Sequence, residues 1–254
     1  MASRVSLLLI TKNNADIIEK TIESIKDFDD IVIVDSGSID ATQDIMRLML
    51  KKHRSVRIIN KPFTDIGKQR RYGLKFCKSR WVLVLDSDEL VSKKLFKEIK
   101  AKINSKINRN SAFYIPYQNY FLGRRVDYGG ENYSMIRLFK KNVLEIKPSL
   151  VHNRFLVRRG KIGYLNNKIH HFSYRSLQQV YQKFGDYSKK MAVIKFKNKE
   201  RSSFKKIFLY PVHMFWARFV EDKGYKDGFF RIPLDLGFAY MEFLTYLLLA
   251  FKRR

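Results

Sequence analysis

Residues 83–89 read Leu83-Val84-Leu85-Asp86-Ser87-Asp88-Glu89, an apolar run that ends abruptly in acidic side chains. A second apolar run, Ile31-Val32-Ile33-Val34, ends in the same way in Asp35-Ser36-Gly37-Ser38. In an open α/β sheet, ligands bind outside the carboxyl ends of the strands. The two runs therefore predict a ligand site where the carboxylates of Asp35, Asp86 and Asp88 come together.

The first hundred residues alternate strand and helix patterns. Strands are predicted at residues 5–11, 31–35, 56–60 and 81–86, and helices at 16–26, 40–50, 68–77 and 92–104. Asp40 with Gln43 forms a predicted capping box for the second helix, and Ser92 is the predicted N-cap of the fourth. Strands that are apolar along most of their length predict a mostly parallel sheet covered by helices on both faces.

The pattern changes after residue 110. Strands are predicted at 112–117 and 135–139, with a glycine-rich loop at 128–131 between them, and a helix at 176–192. From about residue 195 the chain becomes basic and aromatic. We therefore predict one α/β domain over residues 1–193, in halves 1–110 and 111–193, followed by a basic helical appendage over 194–254.

The charge balance implies an anionic partner. The chain has 51 basic and 24 acidic residues and a formal net charge of +27. Such an excess is typical of proteins that meet nucleic acid, an acidic membrane surface or a phosphorylated substrate. The single cysteine, Cys77, excludes an internal disulfide and is interpreted as a small apolar core residue on the third helix. No secretory signal or membrane-spanning segment is predicted, so we expect a cytoplasmic protein.

A carboxylate pair such as Asp86 and Asp88 suits a hard divalent cation, because Mg²⁺ and Mn²⁺ prefer oxygen ligands together with substrate phosphates. Taken alone, this pair is equally typical of a turn or a helix start. The segment 35–38 is likewise typical of an ordinary loop. Both segments together, each after an apolar strand, favour a functional site.

These residues carry a resemblance to a known family. Segments 34–42 and 85–89, with 11–14 and 68–74, resemble the inverting family 2 glycosyltransferases, which have the Rossmann-like GT-A fold. Segments further along are similar to a bacterial subgroup, the lipopolysaccharide core β-1,4-glucosyltransferases. They are residues 136–141, 151–152 and 171–174, followed by Lys183, Tyr187 and Ser188.

The resemblance implies a donor that is a nucleotide-diphosphate sugar, such as a UDP-sugar, and a divalent metal, Mg²⁺ or Mn²⁺. It implies that a hexose such as glucose moves, with inversion, to a lipid-linked saccharide of the lipopolysaccharide inner core. By resemblance, Asp88 would bind the metal and His171 is a second candidate ligand. The implied donor-binding residues are Thr11, Asn13, Asp35, Ser36, Gln69, Arg70 and Asp86.

Inversion by direct displacement also needs a general base for the acceptor hydroxyl. The subgroup has an acidic residue after its Val-His pair, but this chain has Asn153, whose amide cannot accept that proton. Glu131 in the glycine-rich loop is the next candidate, with Asp127 behind it and His152 as a possible assistant. The competing interpretation of Glu131 is a solvated loop glutamate.

The basic C-terminal region has two interpretations, a solvated surface or a contact with the inner face of the cytoplasmic membrane. We favour peripheral membrane association, because basic side chains are attracted to anionic lipid and aromatic residues such as Trp216, Phe229, Phe230 and Tyr240 suit the interface.

Other functions remain open. The acceptor could instead be a polysaccharide, a polyprenyl phosphate or a protein. A non-enzymatic nucleic-acid-binding protein would explain the charge, but the sequence has no zinc-finger spacing, RNP-like strand or helix-turn-helix pattern. That function would also leave Asp35, Asp86 and Asp88 unexplained, so we expect no nucleic acid partner.

Overall fold

The computed structural model describes residues 4–51, 55–105, 107–147 and 154–252. The chain forms two compact units, which are considered separately. The first comprises Met1–Tyr117 and Ser134–His171, and the second comprises Gln118–Tyr133 and Phe172–Arg254.

The first unit begins with alternating strands and helices, as predicted. The strands are β1 (Val5–Thr11), β2 (Asp30–Asp35), β3 (Val56–Asn60), β4 (Trp81–Asp86) and β5 (Glu89–Val91). The helices are α1 (Ile18–Ile25), α2 (Thr42–Leu50), α3 (Ile66–Leu74) and α4 (Lys93–Asn104). β1 pairs in parallel with β2 on one side and β4 on the other, and β2 pairs in parallel with β3.

The core of this unit lies on both faces of the sheet. All residues of β1 and β2 are buried, because helices cover both sides and leave no solvent-facing row. One face packs on α1 and α4 through residues such as Ile22 and Ile99. The other packs closely on α3, where a Cβ added at Gly73 would lie 2.4 Å from a methyl carbon of Leu8.

Two local predictions are wrong. Ala41, not Asp40, precedes α2, and the Gln43 side chain donates to Asp35 instead of completing a capping box. The third helix ends at Leu74, so Cys77 lies beyond it, although it is buried in the core as expected. Ser92 does cap α4, accepting a hydrogen bond from the Leu95 amide at 3.1 Å.

Antiparallel strands extend the sheet beyond β4. The remaining strands are β6 (Asn110–Phe121), β7 (Arg124–Val126), β8 (Ser134–Lys140), β9 (Leu144–Lys147), β10 (Arg154–Val157), β11 (Lys161–Tyr164) and β12 (Ile169–Tyr174). β8 pairs antiparallel with both β4 and β6, so the order in the first unit is β3-β2-β1-β4-β8-β6. β12 pairs antiparallel with β5.

The second unit is mainly helical, with α5 (Leu177–Lys197), α6 (Phe204–Trp216) and α7 (Ile232–Ala250). α5 is longer than predicted and continues past residue 193, where the sequence predicts the end of the α/β domain. That domain boundary remains a prediction. Among the described residues, the segment Phe229–Ala250 is the one helix long and apolar enough to cross a membrane, by length and composition alone. One third of its most apolar window is buried within the protein.

Candidate active site

The strand pairing brings two of the predicted carboxylates to one edge of the sheet. Thr11 at the end of β1 lies opposite Asp35 of β2, and its neighbour Ile10 lies opposite Asp86 of β4. Asp35 and Asp86 therefore lie at the carboxyl ends of the strands on either side of β1. In sheets of this kind that edge is where ligands bind.

Two arginines hold the Asp86 carboxylate. Arg70 Nη2 donates to both of its oxygens, at 2.7 Å and 2.9 Å, and Arg137 Nη2 donates to Oδ2 at 3.0 Å. Burial alone would raise the pKa of Asp86, but the two guanidinium groups hold it well below its ordinary value. The two arginines therefore favour the ionised form of Asp86.

The same arginines retain hydrogen-bond donors that nothing else in the described residues uses. Arg70 Nε and Arg137 Nη1 are both buried without a partner. Buried donors without partners are rare in folded proteins and call for an explanation. A bound anionic or oxygen-rich ligand at this edge would supply the missing acceptors.

Glu89 anchors the turn that carries the acidic residues. Its Oε1 accepts hydrogen bonds from Arg137 Nη2 at 2.6 Å and the Tyr117 hydroxyl at 2.9 Å. Its Oε2 accepts from the Asp86 backbone amide at 3.0 Å. Burial raises the pKa of the Glu89 carboxyl, and the nearby charge of Asp86 adds to that effect, whereas Arg137 lowers the pKa.

Sequence reasoning missed the central position of Arg137. The signal was present, because Arg137 is a lone charge in the apolar stretch 135–139, and a charged side chain in a buried strand needs an ion-pair partner. The identity of the partners could not be inferred, since Asp86 and Glu89 lie about fifty residues earlier in the chain.

Asp88 and His171 lie side by side. Asp88 Oδ1 is 3.6 Å from His171 Nε2, and both side chains are less than one fifth exposed. The pairing of β5 with β12 brings about this proximity, because His171 lies opposite Glu89. The Tyr117 ring contacts the imidazole edge to face, with centroids 5.6 Å apart.

A carboxylate beside an imidazole fits a divalent cation that is completed by other ligands. No group of three or more histidine, cysteine, aspartate or glutamate side chains capable of holding a metal occurs in the described parts of the chain. Mg²⁺ and Mn²⁺ commonly use one or two protein ligands together with substrate phosphates and water. Asp88 and His171 therefore fit a metal that binds together with a phosphate-bearing ligand.

The Asp35 carboxylate organises its own loop. It is fully buried and accepts hydrogen bonds from the amides of Gly37 and Ser38, at 3.2 Å and 3.0 Å, and from Gln43 Nε2 at 2.9 Å. Gly37 has a φ of +84°, in the left-handed region that glycine adopts without strain. The result is a fixed loop directly after β2.

The neighbouring predicted donor-binding residues surround this loop. Asn13 donates its amide to Ser38 Oγ at 2.9 Å and accepts from the Ile39 amide at 2.9 Å, which joins the ends of β1 and β2. Thr11 Oγ1 and Ser36 Oγ are buried and without partners among the described residues. Both hydroxyls are therefore available to a ligand.

Gln69 is fixed at the start of α3. Its amide group donates to the backbone carbonyls of Lys61 and Pro62, at 2.9 Å each, and its Oε1 has no partner in the described chain. Asp65 caps the helix by accepting from the Lys68 amide. This cap fixes where α3 begins. Arg70, the residue that follows Gln69 in the helix, then reaches Asp86.

The candidates for the general base lie in the second unit. Glu131 is only 4% exposed, and its carboxylate accepts a hydrogen bond from Arg218 Nη2 at 2.5 Å. Its interpretation as a solvated loop glutamate is therefore wrong. Asp127 is more exposed and pairs with Arg125 at 2.7 Å. His152 lies outside the described residues.

Arg231 supports the loop that carries Glu131. Its guanidinium group is fully buried and pairs with Asp227 and Asp235, at 2.8 Å each. The same group donates to the backbone carbonyls of Tyr128 at 2.8 Å and Gly129 at 3.1 Å. The glycine-rich loop is therefore held by a side chain about one hundred residues later in the sequence.

Comparison with known proteins now identifies the class. The family model "Glycosyl transferase family 2" matches residues 6–222, so the chain belongs to this family and is a glycosyltransferase. The chain is 27% identical over 258 residues to an uncharacterised glycosyltransferase of Rickettsia bellii, covering 96% of this chain and 85% of that protein. The lipopolysaccharide core biosynthesis glycosyltransferase LpsC of Rhizobium meliloti is 28% identical over 167 residues, which cover 65% of this chain and 55% of LpsC.

Solved structures share the fold. Residues 1–349 of S. aureus TarS, in complex with UDP-GlcNAc, match with a TM-score of 0.55 and 14% identity, over 97% of this chain and 90% of that one. The mannosyltransferase PcManGT of Pyrobaculum calidifontis, in complex with GDP-Man and Mn²⁺, matches with a TM-score of 0.54 and 11% identity, over 95% and 74%. The predicted GT-A fold is thereby confirmed.

Proposed function

We propose that this glycosyltransferase moves a hexose, glucose in the first instance, from a UDP-sugar to a lipid-linked saccharide of the lipopolysaccharide inner core. The observation that carries the proposal is the position of the Asp86 carboxylate. Arg70 and Arg137 hold it at the carboxyl end of β4, two residues before Asp88. This arrangement combines fixed cations and carboxylates at the edge where a nucleotide sugar binds in sheets of this kind.

The unpartnered donors and hydroxyls support a phosphorylated sugar nucleotide as the ligand. Arg70 Nε and Arg137 Nη1 can donate to oxygens of the ribose, the sugar or the diphosphate, and Thr11 and Ser36 offer hydroxyls at the ends of β1 and β2. The two structural neighbours described above bind UDP-GlcNAc and GDP-Man. Their likeness supports a nucleotide-sugar donor without specifying the nucleotide or the sugar.

Asp88 and His171 are the proposed metal ligands. A divalent ion held there would stabilise the negative charge that develops on the departing nucleoside diphosphate. Asp86 contributes differently, because Arg70 and Arg137 already neutralise its charge. We propose that it positions the two arginines and contacts the ribose or sugar of the donor.

Transfer with inversion requires one base on the acceptor side. The acceptor oxygen forms a bond to the anomeric carbon while the bond from that carbon to the diphosphate oxygen breaks. The acceptor proton goes to a carboxylate, for which Glu131 is the first candidate and Asp127 the second. Glu131 is held by Arg218 at a fixed position, which suits a residue that must meet one hydroxyl.

The lipid-linked acceptor is proposed from two lines of support. One is the similarity to LpsC, which covers about two thirds of this chain. The other is the net charge of +27, since lipid A-linked saccharides and the inner face of the cytoplasmic membrane are both anionic. The alternative acceptors within the same class are a polysaccharide, a polyprenyl phosphate and a protein.

A panel of nucleotide sugars tests the proposal. Purified protein is incubated with each donor, with Mg²⁺, Mn²⁺ or a chelator, and with or without a deacylated inner-core saccharide. We expect one donor to be consumed faster than the rest, in a metal-dependent manner, with an inverted anomeric configuration in the product by NMR. Failure to consume any donor with either ion would contradict the proposal.

A further inference from the structure

Helix α6 presents a continuous apolar face to solvent. Its exposed large apolar residues, between 49% and 78% accessible, are Phe204, Phe208, Leu209, Val212 and Trp216. At about 100° per residue they fall within an arc of about 140° on one side of the helix. We call this set the α6 apolar face.

The orientation of α6 is fixed by its opposite side. Ile207 and Tyr210 pack into a small core with Ala192 of α5 and with Tyr246 and Leu249 of α7. The Tyr210 and Tyr246 rings meet edge to face, with centroids 5.5 Å apart. Because the inner side of α6 is already packed, the α6 apolar face cannot turn inwards.

The neighbouring helix extends the same surface. The Phe208 ring lies 4.5 Å from the Phe204 ring and 6.4 Å from the Phe243 ring of α7. Leu236 and Tyr240 precede Phe243 by seven and three residues, so they lie on the same side of α7, and both are exposed. An apolar patch that spans two helices is larger than scattered surface residues produce and is typical of an interaction site.

Cations that form no ion pair with other described residues lie between the end of α5 and the first turn of α6. Lys197, Lys199, Arg201 and Lys205 are all exposed, and none forms an ion pair within the described chain. Lys195 and Lys206 differ from them, because both are paired with Glu200. The surface therefore combines an apolar face with positive charge that the protein does not neutralise.

We infer that the α6 apolar face inserts into the headgroup and upper acyl region of an anionic bilayer and holds the enzyme at the membrane. This inference rests on the lipid-linked acceptor of the proposed function, and it assigns the contact with the membrane to particular residues. Interfacial helices bind by burying apolar side chains while basic side chains attract anionic lipid. The unneutralised cations favour lipid over a second copy of this chain, which would bring like charges together.

Tryptophan fluorescence tests insertion directly. The chain has two tryptophans, Trp81 and Trp216, and Trp81 is buried in β4 with only 3% exposure. Changes in emission on adding vesicles therefore report Trp216. We expect a blue shift with vesicles that contain phosphatidylglycerol, quenching by brominated acyl chains, and a much smaller response to phosphatidylcholine alone. An unchanged Trp216 emission with anionic vesicles would overturn the inference.

A paired substitution provides a second test. F208E/V212E introduces two carboxylates on the α6 apolar face and should weaken vesicle binding at least about tenfold in cosedimentation. Leu48→Glu alters an exposed apolar residue on α2 and serves as the matched control, with binding unchanged. Circular dichroism checks that each variant folds.

Two results would contradict the inference. One is equal vesicle binding by wild type and F208E/V212E, and the other is a wild-type dimer in light scattering that this variant abolishes. Transfer to the soluble deacylated saccharide is measured in parallel. A variant that loses vesicle binding but retains this transfer separates the role of α6 from the chemistry. If the wild-type protein itself shows no transfer, that result counts against the proposed function alone.

Discussion

Arg137 Nη2 lies 3.0 Å from Asp86 Oδ2, although the two residues are separated by fifty-one positions in the chain. The same nitrogen lies 2.6 Å from Glu89 Oε1. One guanidinium group therefore pairs with a carboxylate at the ligand edge of the sheet and with a second carboxylate that is buried. The stability of the fold and the charge of the site depend on the same side chain.

Replacing Arg137 should destabilise the protein strongly. Arg137→Met would leave Glu89 buried without its charge partner, and we expect the free energy of unfolding to fall by about 3–5 kcal/mol in urea denaturation. Arg158→Met removes an exposed ion pair with Glu145 and should cost less than about 1 kcal/mol. Adding Glu89→Gln to Arg137→Met should recover part of the loss. Equal stability of Arg137→Met and wild type would refute this account of the site.

Asp88→Asn should remove metal dependence and leave the fold intact. The proposed ion stabilises the leaving diphosphate by several kcal/mol, so kcat should fall at least about 100-fold. Calorimetry with Mn²⁺ in the presence of UDP measures the loss of metal binding independently of turnover. Asp44→Asn, at an exposed pair with Arg47, is the matched control and should behave as wild type. Undiminished Mn²⁺ binding by Asp88→Asn would rule out Asp88 as a ligand.

The general base can be assigned by comparing Glu131→Gln with Asp127→Asn. Loss of a general base slows turnover by about 10²–10⁴-fold. We expect the larger loss for Glu131→Gln, in kcat more than in the KM for the donor, together with loss of the acidic limb of the pH–rate profile. A slow Asp127→Asn with a normal Glu131→Gln would reverse the assignment. If both variants turn over normally, another group accepts the proton.

Gly129 should not tolerate a side chain. A Cβ at this position would lie 2.1 Å from Arg231 Nη2, and its φ of +62° is already in the left-handed region. Gly123 has a similar φ of +77° but nothing within 4 Å, so Gly123→Ala reports the backbone strain alone, about 1–2 kcal/mol. Gly129→Ala should lower the free energy of unfolding by about 1–3 kcal/mol more than Gly123→Ala does, because the Arg231 network must shift. Thermal unfolding measures the difference. Similar losses for both variants would show that the contact with Arg231 contributes nothing.

Glu200 should make stability depend on pH in the acid range. Partial burial would raise its pKa, but hydrogen bonds from Lys206, Tyr246 and Lys195 lower it from 4.5 to about 2. A carboxyl whose pKa is lowered by folding stabilises the folded state above its unfolded pKa and loses that contribution as the pH falls. The difference in unfolding free energy between wild type and Glu200→Gln should therefore be largest above pH 4.5. It should disappear as the pH falls towards 2. A difference that is constant over this range would contradict the assignment.

The sequence was informative wherever short-range patterns decide the structure. The apolar runs of β1, β2 and β4 end where predicted, and Ser92 caps α4, because both signals lie within a few residues. Gln43 shows the limit of such reasoning. The sequence predicts that its side chain caps a helix, but the side chain binds Asp35, because the buried carboxylate needs donors more than the exposed helix end does.

The supporting partners of the site could not be predicted for a related reason. Arg137 reaches Asp86 and Glu89 from a strand added later, and Arg218 reaches Glu131 from eighty-seven residues away. Nothing in the sequence ranks these pairs above the many other combinations of opposite charges. The sequence indicates the exposed side of α6 only through Trp216, since the other apolar residues of that side are those that a core helix would also contain.

The buried Arg231 network has a consequence for the order of synthesis. Arg231 binds the backbone carbonyls of Tyr128 and Gly129, and its own charge is balanced by Asp227 and Asp235. All of these partners must be out of the ribosome before the Glu131 loop can take its final form. The loop is therefore completed only after residues 227–235 have been synthesised, about one hundred residues after the loop itself. A chain that stops before Arg231 would thus lack the side chain that holds the loop of the proposed general base.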